Sequence, residues 1–181
     1  MSQPRAVIIG AGVIGCSIAL HLSRKGFRTV NVDRNPEVGS GSTSNSCAVV
    51  RFSYTSEPTV RLAWEGCHYW KDWENFLGCR DERGTAKYRQ CGHLVLKGTP
   101  DDRADMVAMY DVVGVPYEHW SLGEVLERLP VLAPRRFYPP RPVDDPGFWD
   151  DDETRLAGGI FSPDGGYVTD PQLATHNLRC A

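Results

Sequence analysis

The chain has 181 residues, 41% of them hydrophobic and 24% charged, with a formal net charge of −3. That length holds one domain or one and a half, and that charge gives no electrostatic case for nucleic acid or an anionic membrane as partner. The cysteines Cys16, Cys47, Cys67, Cys79, Cys91 and Cys180 form no CxxC pair and have no histidine at zinc-finger spacing, so they read as separate thiols of a reducing compartment with no metal.

Ala6 to Ile9 is a short apolar run containing Val7 and Ile8, which predicts a strand buried on both faces of a parallel sheet. The segment Gly10-Ala11-Gly12-Val13-Ile14-Gly15 follows. Gly10 permits a tight turn off the strand, Gly12 lets the backbone approach a pyrophosphate, and Gly15 lets the next helix pack closely. That helix is expected from Val13 to Lys25, with Ile14, Ile18, Ala19 and Leu22 as its inward stripe. Its N-terminal amides and positive dipole end face the phosphates. Gly26 closes it, Arg28 to Val32 forms a second strand, and Asp33 stands where a carboxylate accepts hydrogen bonds from a ribose. Arg34 suits either a 2′-phosphate or a surface ion pair. Strand, glycine turn, helix, second strand and acid within about 30 residues is the order a dinucleotide unit requires.

Ala6 to Leu20 is also apolar enough to mimic a secretion signal, but Arg5 is a thin basic region and Arg24 and Lys25 interrupt the run. No other stretch approaches the roughly 20 apolar residues of a membrane span. A soluble, cytoplasmic protein is expected.

Asn35 to Ser46 is rich in small residues. It reads as a linker or, because it begins at the nucleotide end of the second strand, as a phosphate loop with Ser42, Thr43, Ser44 and Asn45 at its centre. Small and apolar residues then run into Arg51. A helix is expected from Ser56 to Leu77, with Ser56 as N-cap and a stripe of Val60, Ala63, Trp64, Cys67, Trp70 and Trp73 that reads as core. His68 has no catalytic partner at useful spacing and reads as structural. Tyr88 to Leu96 reads as one strand. Thr99 to Asp102 caps a helix bearing Met106, Met109, Tyr110 and Val113, closed by Gly114. Val115 to Trp120 is extended, and Ser121 with Glu124 forms the capping box of a short helix stopped by Pro130.

Pro130 to Arg155 carries five prolines after its first, the aromatics Phe137, Tyr138, Phe148 and Trp149, and the acidic run Asp150 to Glu153. Consecutive acids cannot all face one ion, so the run reads as a solvated loop, and the aromatics suit a lid. Gly159 to Phe161 and Tyr167 to Val168 flank an Asp164-Gly165-Gly166 turn. Asp170 and Pro171 are N-cap and N1 of a last helix bearing Leu173, Ala174, Asn177 and Leu178.

Together, the glycine motif at 10–15, Asp33-Arg34, Gly41 to Ser46, Val49-Val50-Arg51, Gly92 to Leu96, Glu127 to Leu132 and Ser162 to Pro171 resemble the amino-acid oxidase superfamily of FAD flavoenzymes. That superfamily includes sarcosine oxidase, dimethylglycine dehydrogenase, glycine oxidase and D-amino-acid oxidase, and the sarcosine-oxidase-like branch fits best. The resemblance implies FAD, with its ADP half on the N-terminal unit, and hydride transfer from an amine α-carbon to flavin N5. It also implies that Arg51 anchors the substrate carboxylate, a task suited to a bidentate guanidinium, although a structural arginine bound to pyrophosphate or a surface acid fits as well. Two positions depart from the family. Where dimethylglycine and sarcosine dehydrogenases carry a flavin-linking histidine, this chain has Gly41-Ser42-Thr43-Ser44 and then Asn45, so non-covalent FAD is expected. Where sarcosine oxidases carry an arginine near the flavin ring, this chain has Ala48.

The expected fold is α/β. A Rossmann-like FAD-binding part spans 1–88, the start of an α+β substrate domain spans 89–155, and a segment returning to the FAD domain spans 156–181. The expected function is FAD-dependent oxidation of a small amino acid or N-methyl amine at its C–N bond. The chain is expected to be the N-terminal portion of such an enzyme or one of two partnered chains, with its catalytic residues unassigned. A non-catalytic FAD-binding subunit is the alternative, whereas an NAD-dependent dehydrogenase fits only the first 33 residues and leaves the later motifs unexplained.

Overall fold

The computed structural model describes residues 3–136, 140–150 and 154–181. They divide into two compact units, one of 1–50, 65–91 and 165–181, the other of 51–64 and 92–164.

The first unit opens with β1 (Arg5–Ile9), α1 (Val13–Arg24) and β2 (Arg28–Val32), and β1 pairs with β2 in parallel from Arg5↔Arg28 to Ile9↔Val32. A second, antiparallel sheet takes β3 (Val49–Val50), β8 (Gly166–Val168) and β4 (Tyr88–Gln90), with β8 in the middle. Helix α6 (Pro171–Cys180) packs on α1, and Cys16, Leu20, Trp73, Leu77, Ala174 and Leu178 share one buried cluster. Asp170 caps α6 by accepting the Leu173 amide at 2.8 Å, with Pro171 in the first turn.

The parallel pair is not buried on both faces. Ile8 is buried, whereas Val7 and Ile9 are 70% and 93% exposed and Val30 and Val32 are each 52% exposed. The strands alternate, so one face of the pair is turned inward, and no element among the described residues covers the other. The stripe of α1 is shifted in the same way. Gly15, Cys16 and Leu20 are buried, while Ile14 and Ile18 are exposed. Both pairs have i, i+4 spacing, so periodicity alone does not choose between them.

The helix expected over 56–77 is broken into α2 (Glu57–Lys71) and α3 (Trp73–Leu77). Asp72 leaves helical geometry at φ −117° and ψ 40°, and its carboxylate takes the Asn75 side-chain amide at 2.7 Å. A short acid that bonds its own turn competes with the helix ladder. The aromatic stripe packs as core: the Trp70 and Trp73 rings lie 4.4 Å apart and Trp73 stacks on Phe76 at 5.5 Å.

In the second unit, β5 (His93–Lys97), β7 (Gly158–Ser162) and β6 (Glu118–Trp120) form an antiparallel sheet with β7 central. The single strand expected over 88–96 is therefore two strands in two sheets. The chain turns between them at Gly92, whose φ of +79° and contact with the Phe161 ring leave no room for a Cβ, which would stand 2.2 Å from that ring. Helices α4 (Ala104–Val113) and α5 (Leu122–Arg128) complete the unit around Phe52, Val60, Tyr110, Val125 and Ile160. The α5 capping box is present, with the Glu124 amide donating to Ser121 Oγ and the Ser121 amide to Glu124 Oε2. Helix α4 differs from expectation. Its N-cap is Arg103 at φ +74°, while the Asp102 carboxylate accepts the Gly98 and Thr99 amides and so organises the preceding turn. Phe137 and Tyr138 of the expected lid, and Asp151, Asp152 and Glu153 of the acidic run, lie outside the described residues. Among the described residues no helix is long and apolar enough to cross a membrane.

Candidate dinucleotide site

The turn from β1 into α1 needs glycine for two reasons, backbone conformation at Gly10 and close packing at Gly15. Gly10 takes φ +111°, its amide extends the sheet by donating to the Val32 carbonyl at 2.8 Å, and its carbonyl accepts Asn31 Nδ2 at 3.0 Å. A Cβ at Gly15 would stand 2.1 Å from that same carbonyl oxygen, so only glycine lets α1 start here. A Cβ at Gly12 would lie 3.0 Å from Thr43 Oγ1. Thr43 is buried and its hydroxyl accepts the Val13 amide at 3.1 Å, capping α1 from 30 residues away. The amides of Gly12 and Ile14 donate to no acceptor among the described residues. Open amides at the positive end of a helix, beside a turn stripped of side chains, fit the pyrophosphate of a dinucleotide.

Asp33 follows β2. One carboxylate oxygen accepts the Ala11 amide at 2.7 Å, and the other accepts the Asn35 amide at 2.9 Å and the Asn35 side chain at 3.0 Å. The amide of Asn35, and after it that of Ala11, hold this carboxyl below its usual range. It is ionised at neutral pH, exposed, and tied to the glycine turn at Ala11. Arg34 beside it is exposed.

The serine-rich loop lies against the same turn. Gly39 donates its amide to the Ala11 carbonyl at 2.8 Å, and its left-handed φ of +74° brings it against Gln172 and Thr175 of α6. Ser44 Oγ and Asn45 Nδ2 both donate to the Gly41 carbonyl, at 3.0 and 2.9 Å, so those side chains brace the loop itself. Ser42 is exposed. Residues 10–15, Asp33 and 42–45 thus come together in one unit. Asn31, Asn35 and the capping role of Thr43 escaped the sequence reading. The only signal for Asn31 was a polar residue alternating with Val30 and Val32.

Arg51 belongs to the second unit, where it lines a cleft of about 920 Å³ with Tyr54, His93, Met106 and Met109. Its guanidinium sits 5.2 Å from the Tyr54 ring centre and donates to Ser53 Oγ at 3.3 Å, leaving it exposed. Behind the cleft the structure buries polar atoms that sequence reasoning missed. His93 Nδ1, the Tyr110 hydroxyl and the Ser162 hydroxyl have no hydrogen-bond partner among the described residues. Burial lowers the pKa of His93 and the Arg51 charge adds to it, so the ring is held neutral. Burial raises that of Tyr110, and the Arg51 charge pulls the other way.

The family described as FAD dependent oxidoreductase (DAO) matches residues 5–181. Among curated proteins, the tRNA 5-methylaminomethyl-2-thiouridine biosynthesis bifunctional protein MnmC of Burkholderia multivorans is 28% identical over 184 aligned residues, 98% of this chain and 24% of that protein. Its counterpart in Burkholderia ambifaria is 29% identical over 126 residues, covering 67% of this chain and 19% of the relative. Among solved structures, L-proline dehydrogenase from P. horikoshii superposes with a TM-score of 0.73 at 21% identity, over 99% of this chain and 41% of that one. Glycine oxidase from Geobacillus kaustophilus gives 0.69 at 23% identity, over 98% and 43%. The chain therefore spans a quarter or less of these curated relatives and about two fifths of these solved structures.

Proposed function

Because the chain belongs to the family of FAD-dependent oxidoreductases, we propose that it serves to oxidise the C–N bond of a small amino acid or N-methyl amine of the sarcosine type. Bound FAD supplies the two-electron acceptor. The chain supplies binding and orientation. The Gly12 and Ile14 amides and the positive end of α1 receive the pyrophosphate, and the lone pairs left on Asp33 accept ribose hydroxyls. Ser42, exposed in the loop that packs on this turn, offers its hydroxyl to a phosphate oxygen, while Thr43, Ser44 and Asn45 hold the loop in shape. Arg51, charged at every working pH, anchors a carboxylate in the cleft of its unit. The observation that carries the cofactor assignment is the turn at Gly10–Gly15, where Gly10 takes a positive φ, Gly15 has no space for a Cβ and two amides stand open. FAD attachment is non-covalent in this reading, since Ser44 and Asn45 stand where the covalent enzymes of the resemblance carry histidine.

The likeness to proteins named glycine oxidase and proline dehydrogenase supports a small amino acid as substrate. The likeness to MnmC over 98% of the chain favours a second reading, in which the oxidised amine is an alkylaminomethyl group carried on a nucleoside.

Absorption spectroscopy of the purified protein tests both readings. A retained flavin spectrum bleached anaerobically by sarcosine, glycine or proline supports the first, and bleaching only by alkylaminomethyl uridines supports the second. Flavin that no amine bleaches leaves a binding subunit. Colourless protein that binds NAD overturns the proposal.

A further inference from the structure

Away from the glycine turn, the first unit brings together three side chains that the sequence keeps apart. Asp81 lies in the turn after α3, and His176 and Cys180 stand at i, i+4 on α6. His176 Nε2 is 3.4 Å from Asp81 Oδ2, and Cys180 Sγ is 3.4 Å from the same nitrogen. One ligand atom from each residue lies within 4.8 Å of the others. We propose that Asp81, His176 and Cys180 form a tetrahedral zinc site, with water as the fourth ligand, that ties the turn over 78–84 to α6.

The distances carry this assignment. Zinc bonds of about 2.0 Å to oxygen and nitrogen and about 2.3 Å to sulfur set tetrahedral edges of about 3.3 Å for N···O and about 3.5 Å for N···S. The observed separations, 3.4 Å for each pair, match both edges. A catalytic relay has a different shape, because it uses the two imidazole nitrogens separately, one toward the acid and one toward the nucleophile. Here acid and thiol both approach one nitrogen, Nε2, and all three ligand atoms lie within 4.8 Å of one another.

The acid is also held as a ligand is held. Its side chain is only 3% exposed, its Oδ2 accepts Asn177 Nδ2 at 2.7 Å, and the Arg83 amide donates to Oδ1 at 2.9 Å. Outer partners of this kind fix a carboxylate before the ion arrives. Thiolate and carboxylate together bring two negative charges, which one dication neutralises. Nitrogen, sulfur and oxygen in one tetrahedron favour borderline zinc over the hard ions magnesium and calcium.

This site is independent of the flavin reading and is tested without it. The metal-free chain, kept reduced with a phosphine, is titrated with Zn²⁺ against a chromophoric chelator and with Co²⁺ as a spectroscopic probe. One equivalent is expected, with a thiolate-to-cobalt charge-transfer band and tetrahedral d–d bands. Cys180→Ser is the deciding variant, because Cys180 is exposed and its loss leaves the core intact. It removes the charge-transfer band and weakens Zn²⁺ by more than the roughly 10–100-fold that losing an outer partner costs. His176→Ala weakens binding comparably, and Cys47→Ser, at another exposed cysteine, leaves it unchanged. Failure to bind one equivalent, or equal binding by the Cys180→Ser and unaltered chains, overturns the proposal.

Discussion

Replacing Asn177 by alanine removes the most heavily bonded side chain of the first unit. Asn177 is 0% exposed. Its carbonyl oxygen accepts the Ala86 amide at 3.0 Å and Trp73 Nε1 at 3.4 Å, and its amide group donates to Asp81 Oδ2 at 2.7 Å and to the Gly84 carbonyl at 2.8 Å. The Trp73 contact is long and contributes least. Of the other three, two are neutral bonds worth about 1 kcal/mol each net, and the one to a carboxylate is worth about 1.5–3 kcal/mol. The expected loss is thus about 3–5 kcal/mol, a large part of the roughly 5–15 kcal/mol that holds a domain folded. For a chain of this size it lowers Tm by roughly 10 °C. Urea and thermal unfolding, followed by far-UV circular dichroism and by tryptophan fluorescence near Trp73, measure it. A loss below about 1 kcal/mol with an unchanged urea slope refutes the reasoning, because bonds stranded in the interior cannot be that cheap. Asn177→Asp separates bonding from shape. It sets a carboxylate against Asp81 and the Gly84 carbonyl, so it destabilises at neutral pH. It recovers as pH falls through the raised pKa that one of two adjacent carboxyls acquires.

Gly15→Ala forces a Cβ to within 2.1 Å of the Gly10 oxygen, so it lowers stability by about 1–3 kcal/mol or more and releases flavin, read by denaturation and by absorbance after gel filtration. Asp33→Asn keeps one acceptor oxygen but sets an NH2 group against the donors at either Ala11 or Asn35, and weakens flavin retention. Because the folded pKa of Asp33 is depressed, its contribution to stability is present above the unfolded value near 3.8 and lost as pH falls through the folded value. Unfolding midpoints of the two proteins should therefore differ at neutral pH and converge below about 3.8. Arg51→Lys keeps the charge but loses the fork, so KM for carboxylate-bearing amines rises while flavin content holds; an unchanged KM with lost flavin would instead make Arg51 a cofactor ligand.

The parts legible in the chain were those whose partners lie within one turn. Ser121 and Glu124, Asp170 and Leu173, and Gly114 closing α4 signal themselves because caps bond across three or four residues. The glycine turn was legible for a related reason, since backbone geometry at Gly10 admits few residues. Elements whose limits depend on distant packing were misread. The split at Gly92 follows from the Phe161 ring. The break at Asp72 is local and was missed for another reason, since a short acid that bonds its own turn competes with the helix ladder without interrupting the apolar stripe.

What the sequence determined by itself is the dinucleotide unit: strand, glycine turn, helix and acid in order, each specified by local backbone and side-chain chemistry. Tertiary structure decided which stripe of α1 is buried, that Thr43 rather than a neighbour caps that helix, and that Asp81 meets His176 and Cys180. Those outcomes join residues tens of positions apart. No spacing encodes them, because they arise only when packing the core closes the loops between them.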